Sequence, residues 1–127
     1  MSVRFWQSRT VDDRELARWQ KHEQEHGYIR ARLHLLSTHE GGRSVPIFSG
    51  YRSSWGFPQE VHEYVHDGPL LIEDQDTLSP GEVATVRLHP LVPDYWPEVS
   101  VGLSLGMFEG SRKVGEAVVI EVVEPSN

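Results

Sequence analysis

The sequence predicts an all-β domain, either an antiparallel sandwich or a closed barrel, preceded by one short helix. From Tyr28 onward apolar residues alternate with polar or small ones, as in YIRARLHLLS (28–37) and VSVGLSLGMF (99–108). Alternation with a period of two is typical of half-buried strands. Further apolar runs are separated by Gly, Pro, Asp and Ser, with no second helical pattern between them. Because closing a sheet removes its exposed edges, we favour the barrel for a chain of 127 residues.

The helix is predicted at residues 11–26, VDDRELARWQKHEQEH. Thr10 is the expected N-cap, acidic residues fill the first turn, and Gly27 can end the helix. Its apolar stripe is thin, because only Leu16 and Trp19 lie one turn apart. We therefore expect the helix to lie on a larger body.

The charge distribution separates the same two parts, a helical extension at 1–27 and a β-barrel domain at 28–127. The extension carries five basic and five acidic residues, whereas the barrel domain carries seven basic and fourteen acidic ones, so the net charge of −7 lies in the barrel domain. An acidic domain argues against broad, sequence-independent binding to nucleic acid.

The absence of cysteine excludes disulfides and thiolate metal sites. We find no apolar run long enough for a signal sequence or a membrane span, and expect a cytoplasmic protein.

The string HEQEH at residues 22–26 matches the HExxH pattern of zinc peptidases. In that pattern two histidines one helical turn apart bind zinc, and the glutamate polarises a bound water. Here Arg18, Gln20 and Lys21 precede the motif and Gly27 follows it directly, which indicates a solvated helix end. We keep His22 and His26 only as weak metal candidates, and expect no metal and no cofactor.

A more distinctive string is EGGRSVPIFSGYR at residues 40–52, in which Gly41 and Gly42 are expected to supply the positive φ angles of a tight turn. It is followed by a Pro-Gly turn at 80–81, by Leu-His-Pro at 88–90, and by EGSRKVG at 109–115 leading into AVVIEVV. These motifs and their order resemble the third, carboxyl-terminal domain of translation elongation factor Tu. The resemblance covers about residues 28–123.

The resemblance implies a six-stranded, closed antiparallel β-barrel. It also implies that Arg43, Arg52, Arg112 and Tyr51 lie near exposed turns and bind RNA phosphates, as in contacts to the T stem of tRNA, or a partner protein. The alternative is that Arg43, Arg52 and Arg112 each pair with an acid of the domain, such as Glu40 or Glu109 across the neighbouring turns. The chain contains no GxxxxGK[ST] phosphate loop and no Asn-Lys-x-Asp motif, so GTP binding and hydrolysis are not carried over.

These observations predict a non-catalytic binding module that acts on the translation apparatus, through tRNA or other RNA phosphates or through a translation-associated protein. The alternative is a protein–protein interaction module without an RNA role, such as a mimic, an inhibitor or an immunity-type protein. We expect the N-terminal segment to cover the barrel, or a second copy in a homodimer, with four apolar side chains: Phe5, Trp6, Leu16 and Trp19. We interpret Trp55 and Trp96, which lie in turn-rich segments, as core side chains, with interface anchors as the less favoured alternative.

Overall fold

The computed structural model describes residues 12–60 and 65–126, and the predicted lid residues Phe5 and Trp6 lie outside this part. It contains one helix, α1 (Asp13–His26), and two short 3-10 turns at Thr38–Glu40 and Pro93–Tyr95. The strands are β1 (Tyr28–Leu35), β2 (Ile47–Phe48), β3 (Ser54–Gly56), β4 (His66–Asp67), β5 (Leu70–Ile72), β6 (Thr77–Leu78), β7 (Val83–Leu88), β8 (Ser104–Glu109) and β9 (Arg112–Val123).

Seven of these strands form one curled antiparallel sheet in the order β4-β3-β8-β9-β1-β7-β5, and β2 pairs with β6 in a second, two-stranded sheet. The all-β, barrel-like fold is therefore confirmed. The predicted closed barrel of six strands is wrong, because within the described residues the large sheet stays open between its edge strands β4 and β5.

The physical reason for the open sheet lies in the two segments that would have to pair to close it. Gly50 donates to the carbonyl of Leu70, Leu70 donates to that of Tyr51, and Gly68 donates to that of Ser53. These bonds connect the segments without forming a regular ladder. Gly50 has a φ of 94°, outside the strand region, and Pro69 has no N–H to donate.

The core lies on the concave side of the large sheet. In β1 the predicted alternation is confirmed, because Ile29, Ala31, Leu33 and Leu35 are buried while the residues between them are not. Trp55 is fully buried in this core, and its indole N–H donates to the carbonyl of Gly68 at 2.9 Å.

Two predicted elements differ from the structure at their ends. The helix begins at Asp13 with Asp12 as its N-cap, whose carboxylate accepts from the backbone N–H of Glu15, so the assignment of the cap to Thr10 is wrong. The strand predicted at 99–108 is shorter, because Gly102 has a φ of 95° and residues 101–102 form a turn; Val101 is exposed as a result.

Helix α1 is short, and the described part of the chain contains no helix that is long and apolar enough to cross a membrane. The helix ends at Gly27, where the backbone turns sharply into β1. A Cβ at this glycine would lie 2.1 Å from the carbonyl oxygen of Val123, so glycine is needed for α1 to enter the sheet beside the end of β9.

Candidate functional site

The turn between β8 and β9 brings three of the four sequence-predicted binding residues together around one carboxylate. Glu109 ends β8 and Arg112 begins β9. Glu109 forms an ion pair with Arg43 and accepts a hydrogen bond from the Tyr51 hydroxyl, and Arg112 Nη2 lies 3.5 Å from its Oε1. Tyr51 in turn accepts a hydrogen bond of 3.0 Å from Arg43 Nη1. The pairing of Arg43 and Arg112 with an acid of a neighbouring turn was one of the two alternatives open from the sequence.

Burial and stacking hold this cluster in place. The Arg43 guanidinium lies 5.0 Å from the centroid of the Tyr51 ring, and its Nε donates to the carbonyl of Val45. Burial raises the pKa of Tyr51, and the positive charge of Arg43 lowers it, with the net result above the usual value. Tyr51 therefore stays protonated at neutral pH and donates to Glu109.

Arg52, the fourth predicted binding residue, lies apart from this cluster. Its side chain is 70% exposed, and Nη2 is 3.8 Å from Oδ2 of Asp67. An exposed pair at this distance contributes little to stability, so Arg52 keeps much of its freedom to move.

Most other Lys and Arg side chains of the barrel domain also have acidic partners. Residues 28–127 contain seven Lys or Arg residues, and six of them form ion pairs: Arg30, Arg43, Arg52, Arg87, Arg112 and Lys113. The seventh, Arg32, donates to the hydroxyl of Thr85. The basic residues are thus largely neutralised within the domain.

Helix α1 lies on the outer side of the sheet through an apolar and a polar contact region. Leu16 and Trp19 pack against Leu71 of β5. Glu23, one turn after Trp19, contacts two residues of the barrel domain. Its Oε1 is 2.7 Å from Arg87 Nη1, and its Oε2 is 2.7 Å from His89 Nε2. These contacts define how the helix is attached to the barrel domain.

The contacts of Glu23 continue as a row of alternating charges across the outer face of the sheet. Arg87 also contacts Glu73, Glu73 contacts Arg30, and Arg30 contacts Glu121 of β9. Burial raises the pKa of Glu73, but the hydrogen bonds from Arg30 and Arg87 outweigh this effect and leave the pKa below its usual value. Glu73 therefore remains ionised at neutral pH.

The HEQEH motif belongs to this attachment of the helix. His22 donates from Nε2 to the carbonyl of Pro90 at 3.1 Å, and the carboxylate of Glu23 is bound by Arg87 and His89. The rings of His22 and His26 are close, with centroids 4.8 Å apart. Among the described residues, no group of three His, Cys, Asp or Glu side chains is arranged to hold a metal ion. Glu23 is bound by Arg87 and His89 and is not free to polarise a water.

A cleft of about 190 Å³ opens next to the end of the helix. Its sides come from His26 of α1, the first residues of β1, the last residues of β9 and the segment 90–99. Trp96 forms one wall and stands edge-on to Phe57, with ring centroids 5.4 Å apart at 86°. The remaining lining is mainly proline and valine, namely Pro90, Pro93, Pro97, Val99, Val122 and Val123.

The segment that borders the cleft also carries exposed apolar side chains. Leu91 is 40% exposed, Val92 47% and Tyr95 73%. We call this segment and its part of the cleft wall the 91–99 surface, and define it by Leu91, Val92, Tyr95, Trp96 and Val99. Apolar surface next to a preformed depression is typical of protein interaction sites.

Sequence reasoning missed this surface. Trp96 was interpreted as a core residue; it does pack against the core, and it also lines the cleft, whereas Trp55 is entirely within the core. A signal was present in the sequence, since three prolines at positions 90, 93 and 97 surround the exposed apolar residues. No family model matches the sequence.

Proposed function

We propose that the protein is a non-catalytic module that binds a protein partner through the 91–99 surface. The observation that carries this proposal is the contrast between the two kinds of candidate surface. The cations expected to bind phosphate are paired with carboxylates of the same chain, while the segment that borders an open cleft carries exposed apolar side chains.

Binding to RNA through phosphates relies on several unpaired Lys and Arg side chains that release counterions from the nucleic acid. To offer Arg43 to a phosphate, the domain would have to break its contacts with Glu109 and Tyr51. In addition, the net charge of −7 would repel the negatively charged RNA. These features favour the protein-binding alternative over the tRNA alternative.

A protein interface needs a different set of features, and the 91–99 surface has them. Interface centres are enriched in aromatic residues and depleted of charge, and hot spots cluster in pockets. Tyr95 and Trp96 supply the aromatic side chains, and the cleft supplies the pocket. The resemblance to the third domain of elongation factor Tu suggests a partner from the translation apparatus.

Affinity capture with the immobilised protein tests this proposal. We expect specific proteins to be retained after nuclease treatment, and to be lost from the variant Leu91→Ser/Tyr95→Ser. The matched control is Phe48→Ser/Val83→Ser, because both residues are comparably exposed elsewhere on the domain, at 50% and 43%.

The result that contradicts the proposal is binding to RNA. Saturable binding of purified tRNA at physiological salt, weakening steeply as salt is raised and abolished by Arg52→Ala, would assign the phosphate-binding function instead.

A further inference from the structure

We infer that the cleft receives one aromatic or long aliphatic side chain from a protein segment that carries Lys or Arg on both sides of it. This inference rests on the proposed function and specifies the chemistry of the partner. It is argued from the size of the cleft, from the rigidity of its walls and from the charges around it.

The size of the cleft limits what it can hold. Pockets that bury a drug-sized ligand or a cofactor have volumes of about 300–1,000 Å³. The cleft measures about 190 Å³ and is open to solvent on one side. This space is suited to a single large side chain, and hot-spot residues of protein interfaces commonly insert one side chain into such a pocket.

The walls of the cleft are held in place before any partner arrives. Trp96 lies against Phe57 and over Gly68, where a Cβ would come within 2.8 Å of the indole ring. Pro90, Pro93 and Pro97 have fixed φ angles, so the segment loses little conformational entropy when a partner is bound. The lining side chains include Trp96, three prolines and three valines, and these favour an apolar occupant.

The charges near the cleft indicate which residues of the partner should flank the side chain that it inserts. Glu124 lines the cleft, and Asp94 and Glu98 are exposed and lie beside lining residues in the sequence. Within the described residues, these three carboxylates form no ion pair, unlike Glu73 and Glu109. His26 is the one basic side chain of the lining. Glu124 in the lining, together with Asp94 and Glu98 on the segment that borders the cleft, complements Lys or Arg in the partner.

Synthetic peptides test the inference directly. The probe is a fluorescently labelled peptide, GSKRGWGRKSG, measured by anisotropy against the full chain at low salt. We expect saturable binding with a dissociation constant on the order of tens of micromolar. Replacing its Trp by Gly should weaken binding about tenfold or more, because the apolar anchor is lost. The acidic peptide GSEDGWGDESG should not bind measurably, because its charges are repelled.

Protein variants then locate the binding site. Asp94→Lys/Glu98→Lys should weaken binding of the basic peptide at least about fivefold, and the difference should shrink as salt rises. The matched control is Asp74→Lys/Asp76→Lys, which changes two exposed acids near the opposite end of β1 and alters the net charge equally. The control should leave binding nearly unchanged. Val122→Phe, which fills part of the cleft, should weaken the Trp peptide more than the Gly peptide.

Several results would overturn the inference. Equal binding of the Trp and Gly peptides, or equal effects of the two double variants, would show general electrostatic attraction and no anchor. Self-association that is abolished by Asp94→Lys/Glu98→Lys would assign the cleft to a second copy of the chain. If the peptides fail to bind while proteins are still captured through Leu91 and Tyr95, only the inference on the occupant fails and the proposed function stands.

Discussion

Glu23 of the helix and His89 of the barrel domain form a partly buried contact that joins the two parts of the chain. Oε2 of Glu23 lies 2.7 Å from Nε2 of His89, and the imidazole is fully buried. The ring of Trp19 covers His89 at a centroid distance of 4.5 Å. The helix is therefore attached by a partly buried hydrogen bond in addition to apolar packing.

Replacing Glu23 by Gln should destabilise the fold. The substitution removes the negative charge between Arg87 and His89, and leaves the half-buried guanidinium with fewer acidic partners. We expect a loss of about 2–4 kcal/mol in the free energy of unfolding, measured by urea denaturation. The control Glu25→Gln, on an exposed residue 3.9 Å from Lys21, should cost no more than about 0.5 kcal/mol. Equal losses for the two variants would show that the contact to the barrel domain contributes nothing.

His22 should make the stability of the protein depend on pH. Burial lowers the pKa of His22 below 6.5, and repulsion from His89 and His26 lowers it further. The hydrogen bond to the carbonyl of Pro90 and the charge of Glu23 act in the opposite direction but do not cancel the decrease. In the folded protein His22 therefore binds a proton at lower pH than in the unfolded chain.

The sign of the effect follows from this difference in pKa. As pH falls through about 6.5, the unfolded chain takes up a proton that folded His22 does not, so stability decreases until the lowered pKa is reached. We expect urea denaturation at pH 7.5 and pH 5.5 to show a smaller decrease for His22→Gln than for the wild-type protein. An unchanged pH dependence in the variant would exclude His22 as the titrating group.

The sequence predicted those features that depend on local pattern. The alternation in YIRARLHLLS gave the buried face of β1 correctly, since a half-buried strand must place every second side chain inside. The closure of the sheet was predicted wrongly, because it depends on whether residues 49–53 and 68–72 pair regularly. The positive φ of Gly50 and the missing N–H of Pro69 interrupt the regular pairing. Each has this effect only because the other segment lies beside it in the fold, which the sequence does not show.

The candidate site was predictable to a smaller degree. Arg43, Tyr51 and Arg112 could be named from the motifs, but not their common partner, because Glu109 approaches Arg43 only after β8 has been placed beside β3. The cleft depends on the ends of α1, β1 and β9 meeting the segment 90–99. A local sequence pattern does not predict that four distant segments come together in the fold.

Replacing Glu109 by Gln should show whether the cluster around it is structural. The half-buried Arg43 would lose its charged partner, and Tyr51 would lose a strong acceptor. We expect a decrease of about 1–3 kcal/mol in the free energy of unfolding, measured by urea denaturation. Glu116→Gln, which removes an exposed partner of Lys113, serves as the control and should have little effect. A variant with unchanged stability would indicate that Arg43 is held only weakly and is available to bind a ligand.

Gly41 and Gly42, adjacent in the turn after β1, should respond differently to substitution by alanine. Both Gly41 and Gly42 were expected to have positive φ angles, but only Gly41 does, at 91°, with open space around it. Gly42 is buried, and a Cβ there would lie 2.2 Å from the carbonyl oxygen of Leu36, a distance at which the backbone has to move. Gly41→Ala should therefore cost only the strain of the left-handed conformation, about 1 kcal/mol. Gly42→Ala should cost more than about 2 kcal/mol in urea denaturation, because it disrupts the packing of the turn against the end of β1. If Gly41→Ala proved the more damaging of the two, the turn would depend on its φ angle and not on the close approach of the two backbone segments.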